Sequence, residues 1–192
     1  MAEFSNDVLM KIVNKGVALT TESRTEFAKT MDSLRVGFKA GQFCELQTFD
    51  YTVGSAAALS AKKVDEAPMT DAVASAVARK SKSDFVDIQP VGFSRVFDMA
   101  SPALFTALVA SQALDSITVV KRKAAGSKNA GEIYLRIDFT KVLLIGLKWK
   151  ENEETVVETG SFIYRDLEIQ YRPQRADGSL GAVIPASWKM PS

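Results

Sequence analysis

The chain contains no histidine, and this absence removes the side chain that most often acts as a general acid or base near neutral pH. A Ser-His-Asp triad is therefore excluded, and the most common zinc ligand is missing. The 192 residues also contain no Gly-x-Ser-x-Gly elbow and no glycine-rich phosphate loop. We therefore expect a protein that is not an enzyme and that binds no cofactor and no metal ion.

Cysteine is almost absent as well. Cys44 is the only one, so neither an intramolecular disulfide nor a thiolate metal cluster can form. It lies in a predicted strand and is expected to be buried as a small apolar group, because the sequence supplies no base to activate it. Residues 1–7 lack the features of a secretory signal, and no apolar run approaches the ~20 residues that span a bilayer. We expect folding in a reducing cytoplasm, no membrane insertion, and export only by a dedicated machine.

The charges favour no class of charged partner, because 24 basic and 23 acidic residues are spread along the chain. This balance argues against nucleic acid as the main partner. Two local clusters are predicted to be solvated hairpin segments. For the acidic cluster, a hairpin tip is preferred over an acid/base pair or a calcium loop; its members are Glu151, Glu153, Glu154 and Glu158. For the basic cluster, a solvated hairpin face is preferred over a phosphate site; its members are Lys121, Arg122, Lys123 and Lys128.

What the sequence does contain is repeated alternation of apolar and polar residues, which is typical of half-buried strands. Strands are predicted at residues 8–13, 43–53, 85–97, 116–123, 132–139, 142–149, 156–164 and 166–172. A helix is predicted over residues 102–112, with Ser101 as N-cap and Pro102 in the first turn. Its predicted buried face consists of Leu104, Phe105, Leu108 and Val109. About eight short strands with one flanking α-helix indicate a mainly β fold, an antiparallel barrel or two-sheet sandwich.

The chain is predicted to be a single domain over residues 1–192, with an extended loop at 54–84. A loop of ~30 residues inside a compact domain is normally functional or ordered by a partner. Within this loop, a helical pattern places four apolar residues in one stripe: Met69, Val73, Ala76 and Val77. Arg79, Lys80 and Lys82 follow it, and we expect the stripe to contact a neighbouring molecule.

Three blocks in the second half of the chain carry a family resemblance. The first is residues 97–104, which fit an Asp-Lys-Ala-Ser-Pro-x-Leu run through Asp98, Ser101 and Pro102 with Met99 in place of the lysine. The second is residues 134–137 with 142–145. The third is residues 158–174 with Asp177-Gly178 and Trp188, in which the matching residues include Glu158, Tyr164 and Tyr171. The blocks resemble the haemolysin-coregulated protein family (Hcp), the stacked-ring tube of the bacterial type VI secretion system.

The resemblance implies a β-barrel with one helix that assembles into a homo-hexameric ring, and rings that stack into an exported hollow tube, an architecture shared with contractile tail tubes. It also implies partners: the sheath, spike and baseplate of the machine, and effector proteins carried in the lumen. The expected family-motif structural residues are Asp98, Ser101, Pro102, Tyr134, Glu158, Tyr164, Tyr171 and Trp188. Two alternatives remain open: the tail tube of a phage-like contractile particle, and a monomeric β-barrel module that binds a small ligand or oligonucleotide.

Overall fold

The computed structural model describes residues 8–23, 25, 31–37, 39–55, 86–123 and 131–190. The elements in chain order are β1 (Val8–Asn14), β2 (Val17–Ala18), β3 (Cys44–Asp50), β4 (Val53–Ser55), β5 (Val86–Ile88), β6 (Val91–Val96), α1 (Ser101–Val109), β7 (Leu114–Arg122), β8 (Ile133–Glu151), β9 (Val156–Ile163), β10 (Asp166–Tyr171) and β11 (Ile184–Lys189). They fall into two units, residues 50–91 and the remainder of the chain.

The larger unit is a closed antiparallel barrel. Its strands follow the order β8, β7, β1, β3, β6, β9, and β9 pairs back onto β8. Strands β10 and β11 extend the sheet from the first half of β8, and β2 forms a short hairpin with β1. The predicted mainly β barrel with a flanking helix is confirmed. Within the described residues, no helix is long or apolar enough to cross a membrane.

The central strand β8 is one element of 19 residues where the sequence predicted two strands. The two halves meet at Lys141, whose φ of 52° bends the chain without ending the pairing. The inward-facing positions change parity there, from Ile137 and Phe139 to Val142 and Leu144. Ile145 remains 46% exposed, so the second half of the strand presents apolar side chains on both faces.

Aromatic rings fill the barrel because successive strands point a phenylalanine inward. Phe139 packs edge-on against Phe162 with ring centroids 5.2 Å apart, and Phe162 lies 6.3 Å from Phe93. Gly160 on β9 faces Phe93 so closely that an added Cβ would lie 2.3 Å from the ring. A glycine is therefore required at this position for steric reasons.

Helix α1 packs against β8 through only part of the predicted face, of which Leu104 is buried and Leu108 half-buried. Its buried residues are Ser101, Leu104 and Ala107, whereas Phe105 and Val109 are 47% and 68% exposed. The small side chains of Ser101 and Ala107 allow the helix to approach the sheet, and the larger apolar residues are left outside. Pro102 lies in the first turn as predicted, but Ser101 is already helical, and the N-cap position is held by Ala100, which has no side-chain capping hydrogen bond.

In the smaller unit, β4 and β5 form an antiparallel pair from Val53↔Ile88 to Ser55↔Val86. Residues 56–85 lie outside the described residues. The predicted apolar stripe of the extended loop, Met69, Val73, Ala76 and Val77, and the basic residues that follow it therefore also lie outside them.

Candidate functional site

A fully buried arginine lies at one end of the barrel. Arg95 is on β6, where the alternation that turns Phe93 inward also turns Arg95 inward. Its Nε donates to Glu158 Oε1 at 2.8 Å, and its Nη1 donates to Asp98 Oδ1 at 2.6 Å. Its Nη2 donates to Ser101 Oγ at 2.8 Å. Every nitrogen of the guanidinium thus has a partner, as burial of this cation requires.

The partners of Arg95 attach the helix to the barrel. Asp98 follows β6, and its Oδ1 also accepts from the backbone N–H of Ala100 at 2.8 Å. Ser101 begins α1, and its Oγ accepts from the backbone N–H of Asp98 at 3.2 Å. Glu158 is on β9 and completely buried, so the predicted hairpin-tip position is wrong for this residue. Alternation along β9 points it inward together with Gly160 and Phe162.

Charge and burial act together on the titration of this region. Burial alone would lower the pKa of Arg95, but the acidic groups of Cys44, Glu158 and Asp98 around it raise the pKa above its ordinary value. Burial raises the pKa of the Cys44 thiol to about 11, although the charge of Arg95 partly opposes the shift. Cys44 is therefore a neutral thiol at pH 7, and the prediction that it is a buried apolar group is confirmed. The charges that balance Arg95 at this pH are those of Glu158 and Asp98.

The second oxygen of Glu158 holds a tryptophan at the surface. Trp149 Nε1, on the second half of β8, donates to Glu158 Oε2 at 2.9 Å. The indole is 45% exposed, and its ring centroid lies 5.7 Å from those of both Phe97 and Phe105. Because the indole N–H is bonded to a buried carboxylate, the solvent meets mainly the apolar part of the ring.

These rings belong to a larger exposed apolar area, here called the aromatic surface. Its members lie on the turn after β6, on α1 and on β8, and their exposed fractions are 38% to 68%: Phe97, Met99, Phe105, Val109 and Trp149. Several adjoining large apolar side chains on a protein surface commonly mark an interaction site. The buried ion network beneath fixes the turn, the helix and the indole that together form it.

An acidic cleft of about 1040 Å³ adjoins the aromatic surface and shares Phe97 with it. Five carboxylates line it: Glu22, Glu45, Asp98, Glu153 and Glu154. Glu151, Glu153 and Glu154 are exposed at the β8–β9 turn, as predicted, and Asn152 Oδ1 accepts from the backbone N–H of Thr155 at 2.9 Å. Among the described side chains, no group is arranged to hold a metal ion.

A second exposed apolar area lies along the last strand. Within the described residues, β11 pairs on one side only, with β10. Val183, Ile184 and Met190 are 44%, 56% and 44% exposed, and these three residues are here called the β11 edge. Trp188 lies on the same face of β11 as Ile184, and its ring centroid is 6.3 Å from that of the buried Tyr164, which in turn lies 4.9 Å from Phe139.

The predicted motif residues therefore gather in two places. Asp98, Ser101 and Glu158 form the buried network with Pro102 beside it, while the aromatic members support the β8–β10–β11 sheet, where Tyr134 and Tyr171 lie 6.4 Å apart.

The prediction that the basic cluster forms a solvated hairpin face is wrong for Lys123. This side chain is buried, and its Nζ donates to the carbonyl oxygen of Gly178. A turn of the chain 55 residues away covers the lysine, and sequence spacing gives no indication of that contact. Lys128 lies outside the described residues.

Sequence reasoning missed Arg95 and Trp149. A signal for Arg95 was present, because an arginine in phase with the inward-facing Phe93 requires a buried acid elsewhere in the chain. The exposed position of Trp149 carried no comparable signal.

The family model described as "Type VI secretion system effector, Hcp" matches residues 61–171. Among solved structures, Hcp1 from Salmonella typhimurium is similar with a TM-score of 0.61 at 19% identity, covering 96% of this chain and 94% of that one. A type VI secretion system effector from Yersinia pestis is similar with a TM-score of 0.59 at 16% identity, covering 96% and 100%. Secreted protein Hcp3 from Pseudomonas aeruginosa is similar with a TM-score of 0.57 at 18% identity, covering 96% of this chain and 98% of that one. No curated protein matches in sequence.

Proposed function

Because the chain belongs to the Hcp family of type VI secretion proteins, we propose that it is a subunit of the exported inner tube of that machine. The observation that carries the proposal is the closed barrel with its flanking helix, which follows the fold of solved Hcp proteins over 96% of the chain. The family match favours the type VI machine over a phage-like particle. The role is structural, and the protein has no catalytic part in it.

In this role the subunit forms a homo-hexameric ring, rings stack into a tube, and the lumen carries effector proteins. The surface chemistry supports self-assembly, because the aromatic surface, the β11 edge and Ile145 leave apolar side chains exposed on one subunit. An interface between unlike surfaces of identical subunits closes into a ring when its rotation permits. The protein folds in the cytoplasm and leaves through the machine, with the sheath, spike and baseplate as its other partners.

Size-exclusion chromatography with light scattering tests the ring. The purified chain is expected to elute at six times the mass of one subunit, and raising the salt concentration should not dissociate it, because apolar contacts are not screened by ions. A monomer at high protein concentration would favour a ligand-binding barrel module instead. Dissociation on raising the salt alone would show that ionic contacts hold the ring.

We propose that residues 54–84 make the contact between stacked rings. Their apolar residues Met69, Val73, Ala76 and Val77 are proposed to contact the next ring, since the sequence gives this segment an apolar stripe followed by basic residues. Replacing residues 56–84 by a short Gly/Ser link should leave single hexamers but abolish tubes and secretion. A shortened protein that still forms tubes of normal length would contradict this role, and one that cannot form hexamers would place the segment in the ring interface or in the barrel core.

A further inference from the structure

We propose that the aromatic surface of one subunit receives the β11 edge of a second copy of this chain. The inference rests on the proposed ring and goes beyond it, because it states which two surfaces meet at each contact. The resulting interface is head-to-tail, with each subunit using its aromatic surface towards one neighbour and its β11 edge towards the other.

The aromatic surface is already arranged to bind. Trp149 is held by Glu158 Oε2 through its indole N–H, and its ring is flanked by Phe97 and Phe105. A partner that covers these rings therefore displaces water from apolar area without breaking the hydrogen bond of the indole. Rigid aromatic side chains also lose little conformational entropy on binding, which is why tryptophan and other aromatic residues dominate many interfaces.

One chain cannot satisfy both surfaces by itself. Strand β11 is tied to β10, and β10 pairs with the first half of β8, from Leu135 to Thr140. The aromatic surface lies at the other end of β8, around Trp149. Thr140 and Trp149 are nine residues apart along β8, a contour length of about 30 Å at ~3.3 Å per residue, with the bend at Lys141 between them. Because its pairing holds the β11 edge of a subunit on the first half of β8, we assign the contact with the aromatic surface to the β11 edge of another copy.

The charges beside the two surfaces are complementary. Glu153 and Glu154 line the cleft that adjoins the aromatic surface through Phe97. Arg165 is exposed directly across from Met190 of the β11 edge, where the backbone N–H of Met190 bonds to the carbonyl oxygen of Arg165 at 3.0 Å. Opposite charges around two apolar centres fix the orientation of docking and disfavour contact between two like surfaces.

The β11 edge is expected to dock through side chains and not by adding a strand. Pro185, in the middle of β11, has no backbone N–H and so removes one donor from this edge of the sheet. Proline on an edge strand is a common means of preventing edge-to-edge sheet growth. The apolar side chains of Val183, Ile184 and Met190 remain available for contact.

One substitution on each surface tests the proposal. Val109→Glu changes an exposed member of the aromatic surface and Ile184→Glu an exposed member of the β11 edge. Val17→Glu is the matched control, because Val17 on β2 is 67% exposed and Val109 is 68% exposed. Light scattering is expected to show hexamers for the wild type and for Val17→Glu, and a sixfold loss of mass for the other two variants.

Mixing the two monomeric variants gives the decisive result. Val109→Glu retains an intact β11 edge, and Ile184→Glu retains an intact aromatic surface, so one contact remains possible between them. An equimolar mixture should form a one-to-one dimer and nothing larger. Formation of that dimer also shows that both variants are folded.

Other results would overturn the proposal. Hexamers of either Val109→Glu or Ile184→Glu would show that the substituted surface is not in the interface. A homodimer of either variant alone would show that its intact surface pairs with itself, and a mixture that stays monomeric would show that the two surfaces do not meet. In all these cases wild-type hexamers would leave the proposed tube function standing, whereas a monomeric wild type would refute that function itself.

Discussion

Replacing Arg95 by methionine should strongly destabilise the fold. Methionine fills much of the volume of the arginine but leaves Glu158 and Asp98 without the cation that balances them. The Glu158 side chain is completely buried and that of Asp98 is 9% exposed, so water does not reach the first carboxylate and solvates the second only slightly. Removing one partner of a buried ion pair typically costs about 3–5 kcal/mol of unfolding free energy. That is a large fraction of the ~5–15 kcal/mol that stabilises an average domain.

Arg136→Met provides the comparison. Arg136 also pairs with an aspartate, Asp138, at 2.6 Å, but the two side chains are 24% and 16% exposed. Water screens this pair, which should be worth at most ~1 kcal/mol, and the lost hydrogen bond to the Leu34 carbonyl adds about 1 kcal/mol. We therefore expect Arg136→Met to cost no more than about 2 kcal/mol.

Urea unfolding of the two variants and the wild type measures the difference. Adding Glu158→Gln to Arg95→Met removes one stranded charge and should restore about 1 kcal/mol or more. A cost below ~1 kcal/mol for Arg95→Met, or no difference from Arg136→Met, would refute the reasoning.

Three further predictions concern single positions. The pKa of Cys44 is about 11 in the folded chain, whereas an ordinary thiol titrates near ~8.5, so the unfolded chain loses its thiol proton first as the pH rises. Relative to Cys44→Ala, the wild type should therefore lose about 3 kcal/mol of stability between about pH 8.5 and 11. Equal pH profiles of the two proteins in urea unfolding would contradict this. Gly160→Ala should lower stability by about 1–3 kcal/mol through collision with Phe93, and adding Phe93→Leu should recover part of it in thermal unfolding. Glu151→Gln should leave the hexamer mass and secretion unchanged, since this carboxylate is exposed, whereas Glu158→Gln should reduce stability measurably.

The alternation of residues was sufficient to predict most of the barrel. The first half of β8 and strand β9 appear where one buried face repeats every second residue, because that period is set by the backbone of a single strand, whereas β1 and β7 follow short apolar runs. The continuity of β8 was not predictable in this way. At Lys141 a positive φ shifts the alternation of inward-facing residues by one position. In the sequence, such a shift looks the same as the end of one strand and the start of another.

The candidate site was only partly accessible to sequence reasoning. Asp98, Ser101 and Glu158 were identified as motif residues, but their shared partner Arg95 lies 63 residues from Glu158 along the chain. The burial of Glu158 depends on which face of β9 closes the barrel, and four glutamates near one turn looked alike in sequence. The outward position of Phe105 and Val109 depends on how closely α1 approaches β8, which hydrophobic periodicity does not specify.

Negative-stain electron microscopy of the purified, unmodified chain tests the central claim most directly. The account predicts rings with six-fold symmetry and a central hole, each formed from six copies of the barrel unit. Monodisperse particles of single-subunit size at concentrations well above those used for the grids, or closed assemblies without a central hole, would contradict the assignment of this chain as a tube subunit.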